Sequence, residues 1–221
     1  MKQLLLITSL LLIAAGCTSA PQATTTDTTT PTGNNTTPPT ETSVESNTKT
    51  EAAPAQFVSA IPKPSERVTK KPFGLKVSPK NSPVSPEKFS GFHNAVDYEI
   101  LPGEETTDVV ISGVCNGKLL TKRTASGYGG LIVQSCALDD NPITVVYGHV
   151  KLSSVNKKVG DTIKAGEQLG MLGTGYSKET DGERKHLHLG IHKGSGINIA
   201  GYVQSESDLK NWIDVRTIIG Q

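Results

Sequence analysis

The chain has 221 residues and carries 22 Lys and Arg against 21 Asp and Glu, a formal net charge of +1. This balance does not indicate a nucleic-acid partner, for which a concentrated basic surface is expected. Charged runs such as Lys157-Lys158 and Glu183-Arg184-Lys185 are typical of solvated faces. We see no internal repeat, and we expect a monomer that does not bind nucleic acid.

Residues 1–20 have the character of an export signal. Lys2 provides a positive start, and residues 4–13 form an apolar core that is too short for a stable bilayer span. The run ends in Ala14-Ala15-Gly16-Cys17, which resembles a lipoprotein signal-peptidase site. We therefore predict a bacterial signal peptide over residues 1–17 and a membrane-anchored lipoprotein with its lipid on Cys17. The alternative is an ordinary secretory signal cleaved near Ala20.

Residues 18–68 are predicted to be a disordered linker. Thr, Pro, Asn, Ser and Glu dominate its first part, and Pro62 and Pro64 continue the pattern. Such a segment buries too little apolar surface to offset the entropy of the chain. We therefore place one folded domain over residues 69–221, and about 150 residues suffice for one well-buried core.

The folded part is predicted to be a mainly β, antiparallel domain with few short helices, because short apolar runs alternate with turn signals. The predicted strands are 73–77, 109–114, 118–124, 131–136, 143–147 and 186–192. Residues 159–172 are predicted to form a tight β pair. Residues 205–212 are predicted to form a short helix, with Trp212 in the packing of the C-terminal part.

Four of the five histidines lie between residues 147 and 192. Side chains at i and i+2 of a strand share a face, so His186 and His188 project together. Neutral imidazole is a good zinc ligand, so this pair suggests a metal site. Two surface histidines on a polar strand face would give the same pattern. His192 shares their parity but is expected to lie beyond the metal.

A second part of the pattern lies upstream, where His93 and Asp97 stand in the stretch FHNAVDYEI. With one histidine of the downstream pair they make a set of two histidines and one aspartate. A catalytic zinc needs three protein ligands and an open position for water. His149 follows an apolar run in the sequence Tyr147-Gly148-His149. The order His-x-x-x-Asp, Tyr-x-His, His-x-His indicates a site far more strongly than any one motif.

The stretches FHNAVDYEI, YGHVKLSSVNKKVGDTIKAGEQLGMLGTG and HLHLGIHKG resemble the LytM and lysostaphin type of zinc peptidoglycan endopeptidases. The resemblance implies that His93, Asp97 and His188 bind Zn²⁺ and that His149 and His186 are catalytic. It also implies that the substrate is peptidoglycan, in cross-links or stem peptides, and that the protein faces the cell wall or periplasm.

Other positions extend or depart from this resemblance. Ala95 stands where the family often has glycine, and Lys185 stands where proline is common, but neither change removes a ligand. The hydroxyl of Tyr147 is predicted to line the substrate groove, although a half-buried strand residue is the simplest interpretation of this position. Residues 176–185 are predicted to border the cleft, although a solvated hairpin loop is equally compatible with their composition.

Three functions are compatible with these features. The first is an active zinc endopeptidase. The second is a non-catalytic member that binds the wall or activates another hydrolase. The third is a carrier domain, because residues 159–170 also resemble a biotinyl or lipoyl hairpin. The complete five-residue set favours the enzyme, and Lys164 lacks the sequence setting of a modified carrier lysine.

The remaining cysteines, Cys115 and Cys136, are predicted to form a disulfide, which an exported compartment permits. They are symmetric about the Ala125-Ser126 turn, so a hairpin would place them opposite one another. Directly opposed residues have Cβ atoms about 4.5–5.5 Å apart, slightly beyond disulfide spacing. The bond therefore requires a local twist or bulge.

Overall fold

The structure is a computed structural model that describes residues 57–219. The predicted signal peptide, the lipidated Cys17 and most of the predicted linker lie outside the described residues. Within 57–219, no helix has the length and apolar character that crossing a membrane requires.

The described residues form twelve β-strands and five short 3₁₀ helices. The strands are β1 (Lys76–Val77), β2 (Gly91–His93), β3 (Ala95–Glu99), β4 (Val110–Ser112), β5 (Gly117–Ala125), β6 (Gly129–Leu138), β7 (Asn141–Gly148), β8 (Thr162–Ile163), β9 (Gln168–Met171), β10 (His186–Lys193), β11 (Tyr202–Val203) and β12 (Trp212–Ile213). The 3₁₀ helices are Pro64–Glu66, Leu152–Ser154, Lys178–Thr180, Glu206–Asn211 and Val215–Thr217. The predicted antiparallel β domain with few short helices is confirmed.

One seven-stranded sheet dominates the fold, with the order β12-β10-β7-β6-β5-β8 and with β3 also paired to β10. Strand β10 is central, since β7 lies along one side of it while β3 and β12 share the other. All these pairings are antiparallel. Two smaller sheets, β1-β2-β11 and β4-β9, flank this one.

The two faces of β10 lie in different surroundings. Its apolar residues enter the main hydrophobic core, where they are fully buried: Leu187, Leu189 and Ile191. The alternation of a strand therefore turns His186 and His188 to the opposite face. His188 is directly opposite Asp97 of β3 on one side and Gly148 of β7 on the other. The register of β10 thus brings the predicted carboxylate and imidazole together.

The packed domain begins upstream of residue 69. Ala60 and Ile61 are 2% exposed and belong to the main core, and the amide of Ser112 donates to the carbonyl of Ala60. Arg67 is buried and forms a two-pronged ion pair with Glu104. The predicted linker is therefore shorter at its downstream end, because a few anchoring contacts order a segment whose composition is that of a linker.

Residues 159–172 do not form the predicted tight β pair. β8 pairs with β5, and β9 pairs with β4. Gly113 makes backbone hydrogen bonds with the turn of this segment: its amide donates to Glu167 O, and Gly166 N donates to Gly113 O. A Cβ on Gly113 would collide with Ile163. The connection between β4 and β5, which contains Gly113, therefore lies between β8 and β9.

Two further predictions concern the hairpin and the C-terminal helix. Cys115 and Cys136 form the predicted disulfide, with a Cα–Cα distance of 6.1 Å. Cys115 precedes β5 and Ala125 pairs with Gly129, so the two cysteines are not directly opposed in the register of β5 and β6. The predicted helix is a 3₁₀ helix, Glu206–Asn211, and the Ser205 side chain makes no cap hydrogen bond.

Candidate metal and catalytic site

Three potential ligand atoms converge at the junction of β2, β3 and β10. His93 Nε2 and His188 Nδ1 each lie 3.2 Å from Asp97 Oδ1, and the two nitrogens are 3.3 Å apart. All three residues are buried. The atoms thus form a nearly equilateral triangle that no single hydrogen bond explains.

The triangle fits a zinc ion. Tetrahedral zinc with bonds of about 2.0–2.1 Å separates its ligand atoms by about 3.3–3.4 Å. Asp97 Oδ1 is fully buried and accepts no hydrogen bond, despite its two close nitrogen neighbours. A buried carboxylate oxygen without a donor is costly unless a cation compensates it. The donor set, its spacing and this orphaned oxygen all suit Zn²⁺.

The far nitrogen of each candidate imidazole ligand has its own partner. His93 Nδ1 is 3.3 Å from the carbonyl of Pro72, which can only accept, so a hydrogen bond there leaves Nε2 for the metal. His188 Nε2 is 3.4 Å from the hydroxyl of Tyr128, which donates to Ile199 O at 2.8 Å. Such outer contacts orient ligating imidazoles and select the tautomer.

His149 and His186 lie beside the triangle and outside it. Their ring centroids are 4.2 Å apart, and the His149 centroid is 6.5 Å from that of His188. His149 directly follows β7 and has a left-handed φ of 62°, which is uncommon for a residue with a side chain and recurs at functional sites. Its Nδ1 is buried without a partner. His186 Nδ1 donates to Arg184 O at 2.9 Å, and its Nε2 is 3.3 Å from Asp97 Oδ2.

Burial and neighbouring charges set the protonation of this cluster. Burial lowers the pKa of His149 well below its usual range, and His186 and His188 reinforce that shift. Burial also lowers the pKa of His188 to about 4. Burial alone would raise the pKa of Asp97, but the histidine charges outweigh it and hold the pKa well below its usual range. A neutral His188 beside an ionised Asp97 is what a metal site requires.

The cluster opens into a groove of about 320 Å³. Its lining includes the side chains Lys71, Phe89, Tyr128, Glu183, Arg184 and Tyr202. The loop predicted to border the cleft therefore contributes Glu183 and Arg184. The cations are neutralised locally, since Lys71 pairs with Glu87, and Arg184 pairs with Asp97 and Glu99.

Tyr147 does not line this groove, so that prediction is corrected. Its side chain is 0% exposed and lies in the main core. The hydroxyl donates to Gln134 Oε1 at 2.5 Å and accepts from Val114 N at 3.0 Å. In an antiparallel strand, Tyr147 is adjacent to Gly148 and so points away from the face that carries His188.

Sequence reasoning missed three residues of the site. Tyr128 and Tyr202 lie in the groove, at His188 and at His93 respectively. Arg184 belongs to a charged run that was expected to be a solvated face, yet its side chain is only 11% exposed. The adjacency of Arg184 to the His-x-His motif was the one available signal, because a long cation two residues before a buried strand can reach its neighbours.

Two predictions about residues near the motif hold. His192 lies against Trp212, with ring centroids 4.9 Å apart, and is not one of the three converging ligands. Trp212 is 4% exposed and packs at the C-terminal strand, as expected.

Residues 91–199 match the profile of Peptidase family M23. Among curated proteins, none matches this chain. Among solved structures, the chain is similar to LytU, with 23% identity over 69% of this chain and 91% of that one and a TM-score of 0.44. The catalytic domain of lysostaphin from Staphylococcus simulans gives 25% identity, 64% and 88% coverage and a TM-score of 0.39.

Csd3 of Helicobacter pylori is similar with 21% identity over 69% of this chain, at a TM-score of 0.42. The similar region is 36% of that Csd3 chain, so this chain spans only part of its length.

Proposed function

Because residues 91–199 belong to peptidase family M23, we propose that this protein is a zinc-dependent endopeptidase. Its substrates would be peptide bonds in peptidoglycan cross-links or stem peptides, and its role would be cell-wall remodelling. The observation that carries the proposal is the triangle of His93, Asp97 and His188 with His149 and His186 beside it in one groove.

The residues would divide the work as follows. His93, Asp97 and His188 would hold the metal through Nε2, Oδ1 and Nδ1. A zinc ion held there would act as a Lewis acid on the scissile carbonyl and on the attacking water. His149 and His186 would supply the general base and the group that stabilises the oxyanion; His149 has a depressed pKa and a buried Nδ1 without a hydrogen-bond partner among the described residues.

His186 is the other candidate for either role. Its Nδ1 donates to the carbonyl of Arg184, which orients the ring so that Nε2 points towards Asp97 and the groove. With Nδ1 protonated, a neutral His186 carries its lone pair on Nε2, which suits a general base. Nε2 would donate to an oxyanion only when the ring holds both protons.

The experiment is a digest of purified peptidoglycan by the exported, zinc-loaded protein, with mass analysis of the released fragments. We expect peptide fragments that disappear with a chelator and return with added zinc. Zinc-loaded protein that releases nothing from any peptidoglycan type would reject the enzyme. The alternative, a non-catalytic wall-binding or activating member, predicts no release together with activation of a partner hydrolase that survives His149→Ala.

We also propose that the protein is exported and anchored through a lipid on Cys17. The support is the apolar run that ends in Ala-Gly-Cys and the Thr- and Pro-rich segment that follows it. A flexible tether of about 40 residues has a mean span of order 35 Å. Such an anchor would let the domain reach the wall while it stays attached to a membrane.

A further inference from the structure

Arg184 contacts the side of Asp97 that faces away from the candidate metal. Asp97 Oδ2 accepts from Arg184 Nη2 at 2.8 Å and is 3.3 Å from His186 Nε2. Asp97 Oδ1, in contrast, lies 3.2 Å from a nitrogen of His93 and 3.2 Å from a nitrogen of His188. The two oxygens of this carboxylate therefore have different partners, and Arg184 is hydrogen-bonded to Oδ2.

The guanidinium of Arg184 is itself held by a second carboxylate. Its Nε contacts both oxygens of Glu99, at 3.0 and 2.9 Å, and its Nη2 contacts Glu99 Oε1 at 2.5 Å. Asp97 and Glu99 are two residues apart on β3, so they share a face. One planar guanidinium thus bridges both carboxylates, a geometry that a single ammonium group does not reproduce.

Charge explains why this bridge is required. The side chains of Asp97 and Glu99 are 2% and 10% exposed, and two buried carboxylates on one face repel each other. A guanidinium does not lose its proton in a protein, so Arg184 neutralises one of the two negative charges.

We propose that Arg184 is a positioning residue that holds Oδ2 of Asp97, with Glu99 as its counter-anchor, so that Oδ1 alone faces the metal. A carboxylate can bind a metal through one oxygen or two, and a donor on one oxygen selects the first mode. This inference rests on the proposed zinc site and concerns how firmly, and with which geometry, the site holds its ion. Outer-sphere partners of this kind typically contribute about 10–100-fold to metal affinity.

The test is zinc affinity, measured on the full exported chain by competition with a chromophoric chelator. Arg184→Met should weaken zinc binding by about 10–100-fold, because Asp97 loses the donor that fixes Oδ2. Arg184→Lys keeps the charge without the fork and should give an intermediate value. Glu99→Gln should weaken binding less than Arg184→Met, because the contact between Arg184 and Asp97 remains.

The matched control is Arg216→Met. Arg216 makes the same two-pronged contact with a carboxylate, that of Asp214, and it has no contact with Asp97 or Glu99 among the described hydrogen bonds and ion pairs. Its loss should leave zinc affinity unchanged. The melting temperature of each metal-free variant is measured in parallel, so that a loss of stability is not mistaken for a loss of positioning.

A spectroscopic readout separates positioning from a structural role. With Co²⁺ in place of zinc, a change of Asp97 from one-oxygen to two-oxygen coordination raises the coordination number and weakens the visible absorption bands. We expect weaker bands in Arg184→Met and wild-type bands in Arg216→Met. Wild-type bands together with zinc affinity within about threefold of wild type in Arg184→Met would overturn the proposal.

If Arg184→Met fails to fold, the zinc affinities of Arg184→Lys and Glu99→Gln test the proposal instead. Wild-type zinc affinity in both variants would overturn the positioning role of Arg184. The outcome for the enzyme is separate: wild-type protein that binds zinc but releases no peptide removes the endopeptidase and leaves this inference standing. Wild-type protein that binds no zinc removes both.

Discussion

The five histidines show how surroundings decide the role of one residue type. His93 and His188 converge on a carboxylate oxygen and have their far nitrogens engaged, which suits ligands. His149 has a buried nitrogen without a partner, and His186 is oriented by a backbone carbonyl, which suits proton transfer and charge stabilisation. His192 packs on an indole ring and serves the fold.

The first prediction separates ligand from catalyst. His188→Ala should lose both zinc and hydrolysis, because two remaining protein ligands hold the metal poorly. His149→Ala should keep zinc and slow turnover by roughly 10²–10⁴-fold, which is what proton transfer alone supplies. Metal content after dialysis and the rate of fragment release measure the two effects. A His149→Ala protein that loses its zinc would contradict the assignment of His149 as a catalytic residue that does not bind the metal.

The second prediction concerns Tyr147, whose hydroxyl serves the core. Tyr147→Phe leaves Gln134 Oε1 and Val114 N without their buried partner. We expect the free energy of unfolding to fall by about 1–3 kcal/mol, the cost of leaving such groups unpaired. Zinc affinity and hydrolysis should not change. Urea unfolding measures the first, and slower hydrolysis at wild-type stability would instead restore Tyr147 to the groove.

At the scale of elements, β10 determines where the site lies. Three strands pair with it, and its even spacing of His186 and His188 sets both rings on the face opposite the main core. Other elements hold that arrangement in place. The β5–β6 hairpin carries the disulfide, and the segment between β1 and β2 passes beside the groove, where Phe89 stacks on Tyr202 at 5.4 Å.

The third prediction concerns the hairpin. Replacement of both Cys115 and Cys136 by serine should lower the free energy of unfolding by roughly 3 kcal/mol, the loop-entropy value for a closed loop of about 20 residues. The double variant should still bind zinc, because neither cysteine lies at the site. Free-thiol counting on the exported, unreduced protein is the direct check. Two reactive thiols after denaturation would show that the bond is absent from the exported protein.

The fourth prediction concerns pH and the segment beside the groove. Glu87 and Lys71 form an ion pair with side chains 2% and 3% exposed. Burial alone would raise the pKa of Glu87, but hydrogen bonds from Lys71, Phe89 N and Ser82 lower it below the usual 4.5. A carboxylate with a depressed folded-state pKa adds stability above its unfolded-state pKa, and that stability disappears as pH falls through the folded-state value.

Glu87→Gln should therefore be less stable than wild type at neutral pH, and the difference should shrink as pH falls below about 4.5. Urea unfolding at several pH values measures this difference. Glu167→Gln is the control, because Glu167 also has a lowered pKa but lies at the surface, in a pair with Lys157. A difference between wild type and Glu87→Gln that stays constant through the acid range would contradict the prediction.

At the scale of the whole molecule, the zinc-site domain is one part of a longer exported chain in our proposal. The described residues, 57–219, hold the core, the groove and all five site residues. The segment before them would supply the tether and the anchor. Activity at the wall would therefore depend on two independent features: the geometry of the groove, and attachment that keeps the domain near its substrate.

The fifth prediction tests that attachment. Cys17→Ser should release the protein from the membrane fraction or stall its processing, because the lipid would have no thiol to modify. Fractionation and the apparent mass of the product measure both effects. Zinc affinity of the released protein should equal that of wild type. A Cys17→Ser protein that stays in the membrane at wild-type size would rule out a lipid anchor.

The sequence by itself determined the β character, the face shared by His186 and His188, and the disulfide. Each follows from local rules: a period of two along strands, the reach of paired cysteines, and the ligand chemistry of imidazole and carboxylate. The resemblance to a family pattern supplied the candidate ligand set of His93, Asp97 and His188, which local rules left open.

Only the tertiary structure decided what depends on partners distant in the chain. Tyr147 lies in the core, β8 and β9 pair with β5 and β4 and not with each other, and Arg184 is buried against two carboxylates of β3. The physical reason is common to all three. The fate of a polar group or a strand edge depends on which donor, acceptor or charge the fold brings to it, and no local pattern contains that information.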